Sequence, residues 1–422
     1  MDTPLRLDEI EIIHPDHYVT NGYPHAEWSL LRREAPVYWF DRTEGEPFWA
    51  ITRHEDITFI GKRPEQFLSN PQLVIPFEPE PAEDGGFRPP DTLISMDNPR
   101  HRKYRKLISG RFTPRALQKI HADIEQIARE IVDALLAEGD EGECDFVQKV
   151  AAPLPIAVIA WLLGVPRADW NLLFDWTNRT IGAGDPEYQE EGKSPQDTAR
   201  AAMTELFGYF ANLVEEKRKK PADDLVTLFA QAEVDGKKLD PMDVLAWCFV
   251  IVIAGNETTR NGTSGGMLAF IEHPDQMLRV QRDPGLLRPA IEEVVRWTSP
   301  IIHFARTAAT DCEIRGQRIR KGDRLALFYP SANRDEEVFE EPFRFRVDRN
   351  PNRHLGFGVG EHFCAGAHVA RLEMEMAYKY LLPRIEEVEL TGPPQRLRSH
   401  LVGGVKHLPI RYKLKPAPRY SA

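Results

Sequence analysis

Residues 357–375 read FGVGEHFCAGAHVARLEME, a single cysteine presented from a glycine-rich turn that runs on into a helix. Gly358 and Gly360 suit backbone conformations that side chains disfavour, and Gly366 leaves room for something flat and bulky to approach. Ala367 to Leu372 has helical character, which sets Cys364 near the positive end of a helix dipole, a placement that favours the thiolate. A thiolate held this way, with backbone N–H groups pointing at sulfur, suits an axial ligand of haem iron. Two other fates stay open on spacing alone. Zinc could use Cys364 with His362 and His368, although no Cys-x-x-Cys pair completes a fourfold set. A lone cysteine after a turn is also commonly a buried structural residue.

A second segment departs from its surroundings. Asp240-Pro241 is a good helix cap and first position, and apolar character runs from there to Phe270 before His273-Pro274 stops it. That predicts a helix of about 45 Å. Its centre, Ile253-Ala-Gly-Asn-Glu-Thr-Thr-Arg260, puts a glycine, a carboxylate and two hydroxyls into an otherwise buried element. Gly255 costs roughly 1 kcal/mol against alanine there. Thr258 lies one turn beyond Ala254, so its hydroxyl can bond that carbonyl and loosen the helix into a ligand groove. The alternative is a polar kink satisfied by neighbouring side chains.

Further upstream, Ser95-Met-Asp-Asn-Pro-Arg-His-Arg-Lys-Tyr-Arg105 places His101 and Arg105 on one helical face. By itself the pair reads as an anion clamp or as a solvated basic face. Pro36–Phe40 and Phe48–Thr52 predict a hairpin across Asp41 to Pro47, and Pro76 to Pro90 an irregular surface loop. From Ala116 to Phe229 the pattern is helical, with breaks at Glu138–Cys144, Gly164–Pro166 and Ile181–Ser194. The last break, IGAGDPEYQEEGKS, is expected to be a mobile lid. Lys217-Arg-Lys-Lys220 reads as a solvated helix end.

Composition narrows the function classes. The chain has 422 residues, net charge −11 and four scattered cysteines, 144, 248, 312 and 364, which argues against nucleic-acid binding and against a disulfide framework. The start MDTPLR lacks a signal-peptide pattern. Val150–Pro166 is too short for a membrane span and carries Pro153 and Pro155. The expectation is a cytoplasmic protein with no membrane span, forming a single domain over residues 1–422 without linker or repeat.

Phe357-Gly358-x-Gly360-x-His362-x-Cys364-x-Gly366 resembles the cysteine-ligand signature of the cytochrome P450 family of haem-thiolate monooxygenases. The resemblance extends over residues 95 to 375. It implies a mainly α fold with small β-sheets and one haem b held through Cys364, with Phe357, Gly358, Gly366, Ala254 and Gly255 against the cofactor. His101, Arg105, Arg306 and His362 match its propionate ligands. Ala254-Gly-x-Glu257-Thr258-Thr259 resembles the oxygen-binding motif, which implies that Thr258 and Glu257 deliver protons. Glu293-Val-Val-Arg296, joined by Arg349, resembles a buried structural lock, and Ala332–Asp335 and Phe339–Phe345 complete the order of motifs. The implied reaction is hydroxylation of an apolar substrate by O2, with electrons from NAD(P)H through redox partners, a ferredoxin and a ferredoxin reductase. Arg102, Lys103, Lys106 and Arg353 are the candidate docking residues. The segments 95–101 and 111–115 look most like bacterial members acting on sterol side chains, branched lipids and terpenoids. Val74, Ile75, Val250, Ala254, Ile301, Phe304 and Val402 are the candidate substrate contacts. A peroxygenase, an oxidative coupling enzyme and a haem-based sensor or binding protein are the alternatives.

Overall fold

The computed structural model describes residues 5–42, 45–77 and 91–415. Residues 78–90 of the expected surface loop lie outside the described residues. The helix predicted from Asp240-Pro241 runs from Pro241 to Glu272, about 48 Å. The Asp240 carboxylate accepts from the Met242 N–H at 2.8 Å, satisfying one of the donors that every helix start leaves free. This central helix is long and apolar enough to cross a membrane, but it packs against helices Pro153–Leu163, Trp170–Ile181, Pro195–Lys219 and Leu287–Thr298. Apolar residues all round its axis therefore read as core: Trp247, Val252, Met267 and Phe270 are buried.

Beside it lies the helix Ala367–Leu381, which follows the cysteine loop and packs on Pro114–Ala137. Val150 to Pro166 is buried core as expected, but Pro153 and Pro155 open its helix rather than break one. Proline costs nothing at the first helical position because its missing N–H would be unpaired there anyway.

The expected hairpin forms, with Val37 opposite Ile51 and Phe40 opposite Phe48. It is one edge of a five-stranded sheet, in the order Val37–Phe40, Phe48–Ile51, Arg324–Phe328, His303–Ala308, Phe67–Leu68. A strand at Glu141–Asp145 was missed inside a predicted break. It pairs with Pro409–Leu414, some 270 residues away, and no local pattern announces such a partner.

The expected lid at 182–194 is tied down. The buried Asp185 carboxylate accepts from the Arg398 N–H at 2.9 Å and from Lys406 Nζ at 2.7 Å, and Arg179 pairs with Glu190 at 2.7 Å. An acidic, glycine-bearing stretch looks mobile only until its cationic partners arrive from other parts of the chain.

Candidate active site

The cysteine loop folds as its glycines require. Gly358 and Gly360 have φ of 70° and 78°, in the left-handed region. The Cys364 N–H donates to the Phe357 carbonyl at 2.9 Å, closing the loop on itself. The N–H groups of Gly366 and Ala367 point at the sulfur, and Arg105 and Arg371 add positive charge. Burial nevertheless wins and pushes the thiol up from its ordinary value. A bound metal ion would add the positive charge that favours the thiolate.

The surface of Cys364 is exposed, although protein crowds it on every side. Both are true of a thiol that faces an internal void. The central helix carries a similar exception, where Ala254 is exposed and Ile251, Gly255 and Thr258 are half-buried in the middle of a largely buried element. The Thr258 hydroxyl donates to the Ala254 carbonyl at 2.7 Å, the back-bond expected from their spacing. Gly366 has open space where a Cβ would point. Gly255 differs: a Cβ there would lie 1.9 Å from Ile159 Cδ1. Its missing side chain makes room for Ile159 of the neighbouring helix.

At the edge of the void sits a group of cationic and imidazole side chains with no carboxylate of their own. His101 is buried, with neither ring nitrogen hydrogen-bonded. Its ring lies 4.2 Å from that of His362. Arg306 is buried, and its one side-chain hydrogen bond among the described residues is to the Ala305 carbonyl at 2.7 Å. Arg105 donates to the Phe363 carbonyl at 2.8 Å. Burial, with the charge of Arg306 next, lowers His362 to about 3, and burial also lowers His101 and Arg306. Asp97 and Glu361 add negative charge nearby and His362 Nε2 lies 3.2 Å from Ser69 Oγ, but among the described residues none of the four groups pairs with a carboxylate, which marks an anion site. The set fits the carboxylates of a haem whose face covers Cys364. Among the described residues no three His, Cys, Asp or Glu side chains converge to hold a metal ion, so the zinc alternative has no ligand set.

Glu257 turns away from the void. It is buried against Arg260, three residues on, and Arg260 Nη1 donates to Asn178 Oδ1 at 2.8 Å. Burial raises the Glu257 carboxyl, opposed by the Arg260 charge, and its Oε1 has no hydrogen-bond partner. Arg260 was part of the quoted motif but was given no role; its position three residues after a buried carboxylate was the available signal. Arg371 was also missed. Its guanidinium lies 4.3 Å from the Phe357 ring and pairs with Glu292 at 2.6 Å, bracing the cysteine loop.

The lock forms as the resemblance implies. Glu293 accepts from Arg296 at 2.7 Å on both oxygens, from Arg349 Nε at 3.1 Å, from the Arg346 N–H at 2.8 Å and from Asn352 at 3.1 Å.

The substrate candidates divide. Ile301 and Phe304 are half-buried beside the sheet, and Val74 is half-buried with its carbonyl held by Arg324. Ile75 is wholly buried with Trp28 and Phe328, Val250 lies in the helical core, and Val402 is buried in a bridge to Ile301. Those three are packing residues. Arg102 pairs with Glu361, and Lys103 with Asp235 at 2.5 Å, so two of the four docking candidates are neutralised.

Comparison with known proteins agrees with this geometry. The family model described as Cytochrome P450 matches residues 285–415. The chain is 40% identical to the steroid C26-monooxygenase of Mycobacterium tuberculosis, over 92% of this chain and 89% of that protein. It is 37% identical to the methyl-branched lipid omega-hydroxylase of the same species, over 91% and 90%. Among solved structures, a Mycobacterium marinum protein in complex with pseudoionone superposes with a TM-score of 0.88 at 35% identity, covering 96% of this chain and 98% of that one.

Proposed function

We propose that this chain, which belongs to the cytochrome P450 family, hydroxylates a terminal methyl group on the apolar tail of a sterol or of a methyl-branched lipid. It is a haem-thiolate monooxygenase acting on apolar substrates, and its electrons come from redox partners. The overall change is R–H + O2 + NAD(P)H + H⁺ → R–OH + H2O + NAD(P)⁺. The observation that carries the reading is the combination of an exposed Cys364 in its glycine loop, exposed Ala254 and half-buried Thr258 in a largely buried helix, and the group of Arg105, Arg306, His362 and the unpartnered His101. Bound there, haem b supplies the reductive activation of O2 that no side chain can perform.

The residues of the chain do the rest. Cys364 holds the iron, with the Gly366 and Ala367 N–H groups steadying its sulfur. His101, Arg105, Arg306 and His362 would hold the propionates. Thr258 presents a hydroxyl to the reacting face while its proton rests on the Ala254 carbonyl, from which it can turn to donate. Glu257, whose carboxyl is raised from its ordinary value by burial, passes a proton to that hydroxyl once its pairing with Arg260 loosens. Ile301 and Phe304 line the approach of the tail and exclude water.

Support for the substrate class comes from relatives named for a steroid C26 position and for a methyl-branched lipid terminus, both unactivated methyl groups at the end of a flexible apolar chain. The redox partners are a ferredoxin and its reductase in the cytoplasm. Lys106 and Arg353, exposed and without ion pairs among the described residues, give an acidic partner its contacts. The test is to reconstitute the haem-loaded protein with a ferredoxin, a reductase, NADH and ¹⁸O2. A steroid with an intact side chain, which alone has a C26, is compared with one lacking it. Label in a terminal alcohol of the first alone supports the proposal. Turnover on hydrogen peroxide but not on NADH, or equal oxidation of both steroids, overturns it.

A further inference from the structure

A second cavity lies away from the cysteine void, between the start of the chain, the C-terminal half of the central helix and the turn at 403–405. It has a volume of about 290 Å³, enough for a single ring, and its walls include Tyr23, Asn261, Trp297, Arg334, Phe343 and Arg396. Two features of these walls are unusual for a surface cleft.

The first is charge. Arg334 is 2% exposed, and it has no carboxylate partner among the described residues. It donates to the carbonyls of Arg296 and Trp297 at 3.0 and 2.9 Å, while its Nε is unpartnered. Next to it Arg296 and Arg349 share the buried Glu293 carboxylate, which leaves the Arg334 guanidinium without one. Arg396, half-buried on the opposite wall, forms no ion pair among the described residues. Glu272, exposed at the rim, is the one acidic side chain in the lining. A buried surplus of positive charge is costly unless an anion meets it.

The second is unmet hydrogen bonding. Asn261 is 1% exposed, with both its amide nitrogen and its amide oxygen unpartnered, and His25 Nδ1 is unpartnered as well. The glycine pair opposite makes the room. A Cβ on Gly404 would fall 2.1 Å from Asn261 Cγ, and one on Gly403 2.3 Å from the Tyr23 hydroxyl. The aromatic walls set the rest of the chemistry: the Arg334 guanidinium lies 4.2 Å from the Trp297 ring centre, fixed in place, and Tyr23 and Phe343 offer further ring surface.

We propose that this cleft is a second binding site, for a small aromatic carboxylate whose anion meets Arg334 and Arg396 while its ring rests against Trp297 and Phe343. Occupancy satisfies Arg334 Nε and Asn261 Nδ2 together, and a planar carboxylate matches the edge of a guanidinium as a spherical ion does not. Such a ligand binds beside the lock that supports the cysteine loop, independently of substrate.

The test uses the haem-loaded protein with its iron blocked by imidazole, so that heat cannot come from the cysteine void. Benzoate is titrated calorimetrically into the parent, Arg396→Gln, Arg396→Lys and Phe343→Ala, and crystals are soaked in 4-bromobenzoate for anomalous scattering. Among the described residues the Arg396 side chain has no ion pair, so its variants should melt with the parent. The expected result is one equivalent bound with an unchanged Soret band. Arg396→Gln should weaken it at least tenfold and Arg396→Lys restore part of the loss, with a bromine peak between Trp297 and Arg396. No heat, equal binding by all variants, or bromine only elsewhere would overturn the proposal. Preferential binding of inorganic phosphate would overturn the assignment to an aromatic acid.

Discussion

Replacing Glu293 by glutamine should strike the fold harder than any other isosteric change in the described residues. The carboxylate is wholly buried and receives donors from Arg296, Arg349, Asn352 and the Arg346 backbone. The amide keeps the volume but removes the charge that two buried guanidiniums share, and it turns an N–H2 group toward donors. Breaking a buried ion pair by removing one partner costs about 3–5 kcal/mol, because the remaining charge stays desolvated. The whole protein is stable by only about 5–15 kcal/mol. For 422 residues the unfolding entropy is about 0.9 kcal/mol/K, so the melting temperature should fall by about 3–6 °C. Circular dichroism at one scan rate measures this for parent and variant, with and without haem. Adding Arg349→Met should recover part of the loss by removing one of the stranded charges. A variant that melts within about 1 °C of the parent, or a double variant no better than the single one, would refute the claim that Glu293 neutralises this cluster.

Thr258→Ala removes the hydroxyl that rests on the Ala254 carbonyl. Alcohol formed per NAD(P)H should drop by about 10²-fold, with substrate binding, read from the Soret shift, unchanged. Gly255→Ala drives a Cβ into Ile159 and should destabilise by about 1–3 kcal/mol; thermal melting measures the loss, and Ile159→Val in the same chain should relieve it. His407 is opposed by burial but held above its ordinary value by Asp145 at 2.5 Å and Glu187 at 2.8 Å. A raised imidazole contributes stability that is fully present below its unfolded value near 6.5 and is lost as pH rises through its folded value. His407→Gln should therefore lower the melting temperature more at pH 6 than at pH 9; an equal loss at both would show that the ion pairs contribute nothing.

The separation between sequence and structure is clearest in neighbouring residues of the same motif. Thr258 and Glu257 read as one device, because adjacent letters cannot say which way a helix faces. The fold turns Thr258 to the void and Glu257 to Arg260 and Asn178, 100° round the axis. The Asp185 loop shows the second kind of limit: it looked mobile because the residues that hold it, Arg398 and Lys406, lie more than 200 positions away.

What the sequence determined by itself was local chemistry with a fixed spacing. The glycine-framed Cys364, the capped central helix with its polar centre, the 37–51 hairpin and the pair Glu293–Arg296 all depend on contacts within a turn or two, where periodicity and backbone sterics decide. Tertiary structure alone decided which charges stay unpaired. His101, Arg306 and His362 come from three distant segments, and so do Arg334, Asn261 and Arg396; each is an ordinary polar residue until packing removes water and leaves its charge or hydrogen bond to be met by something the chain does not contain.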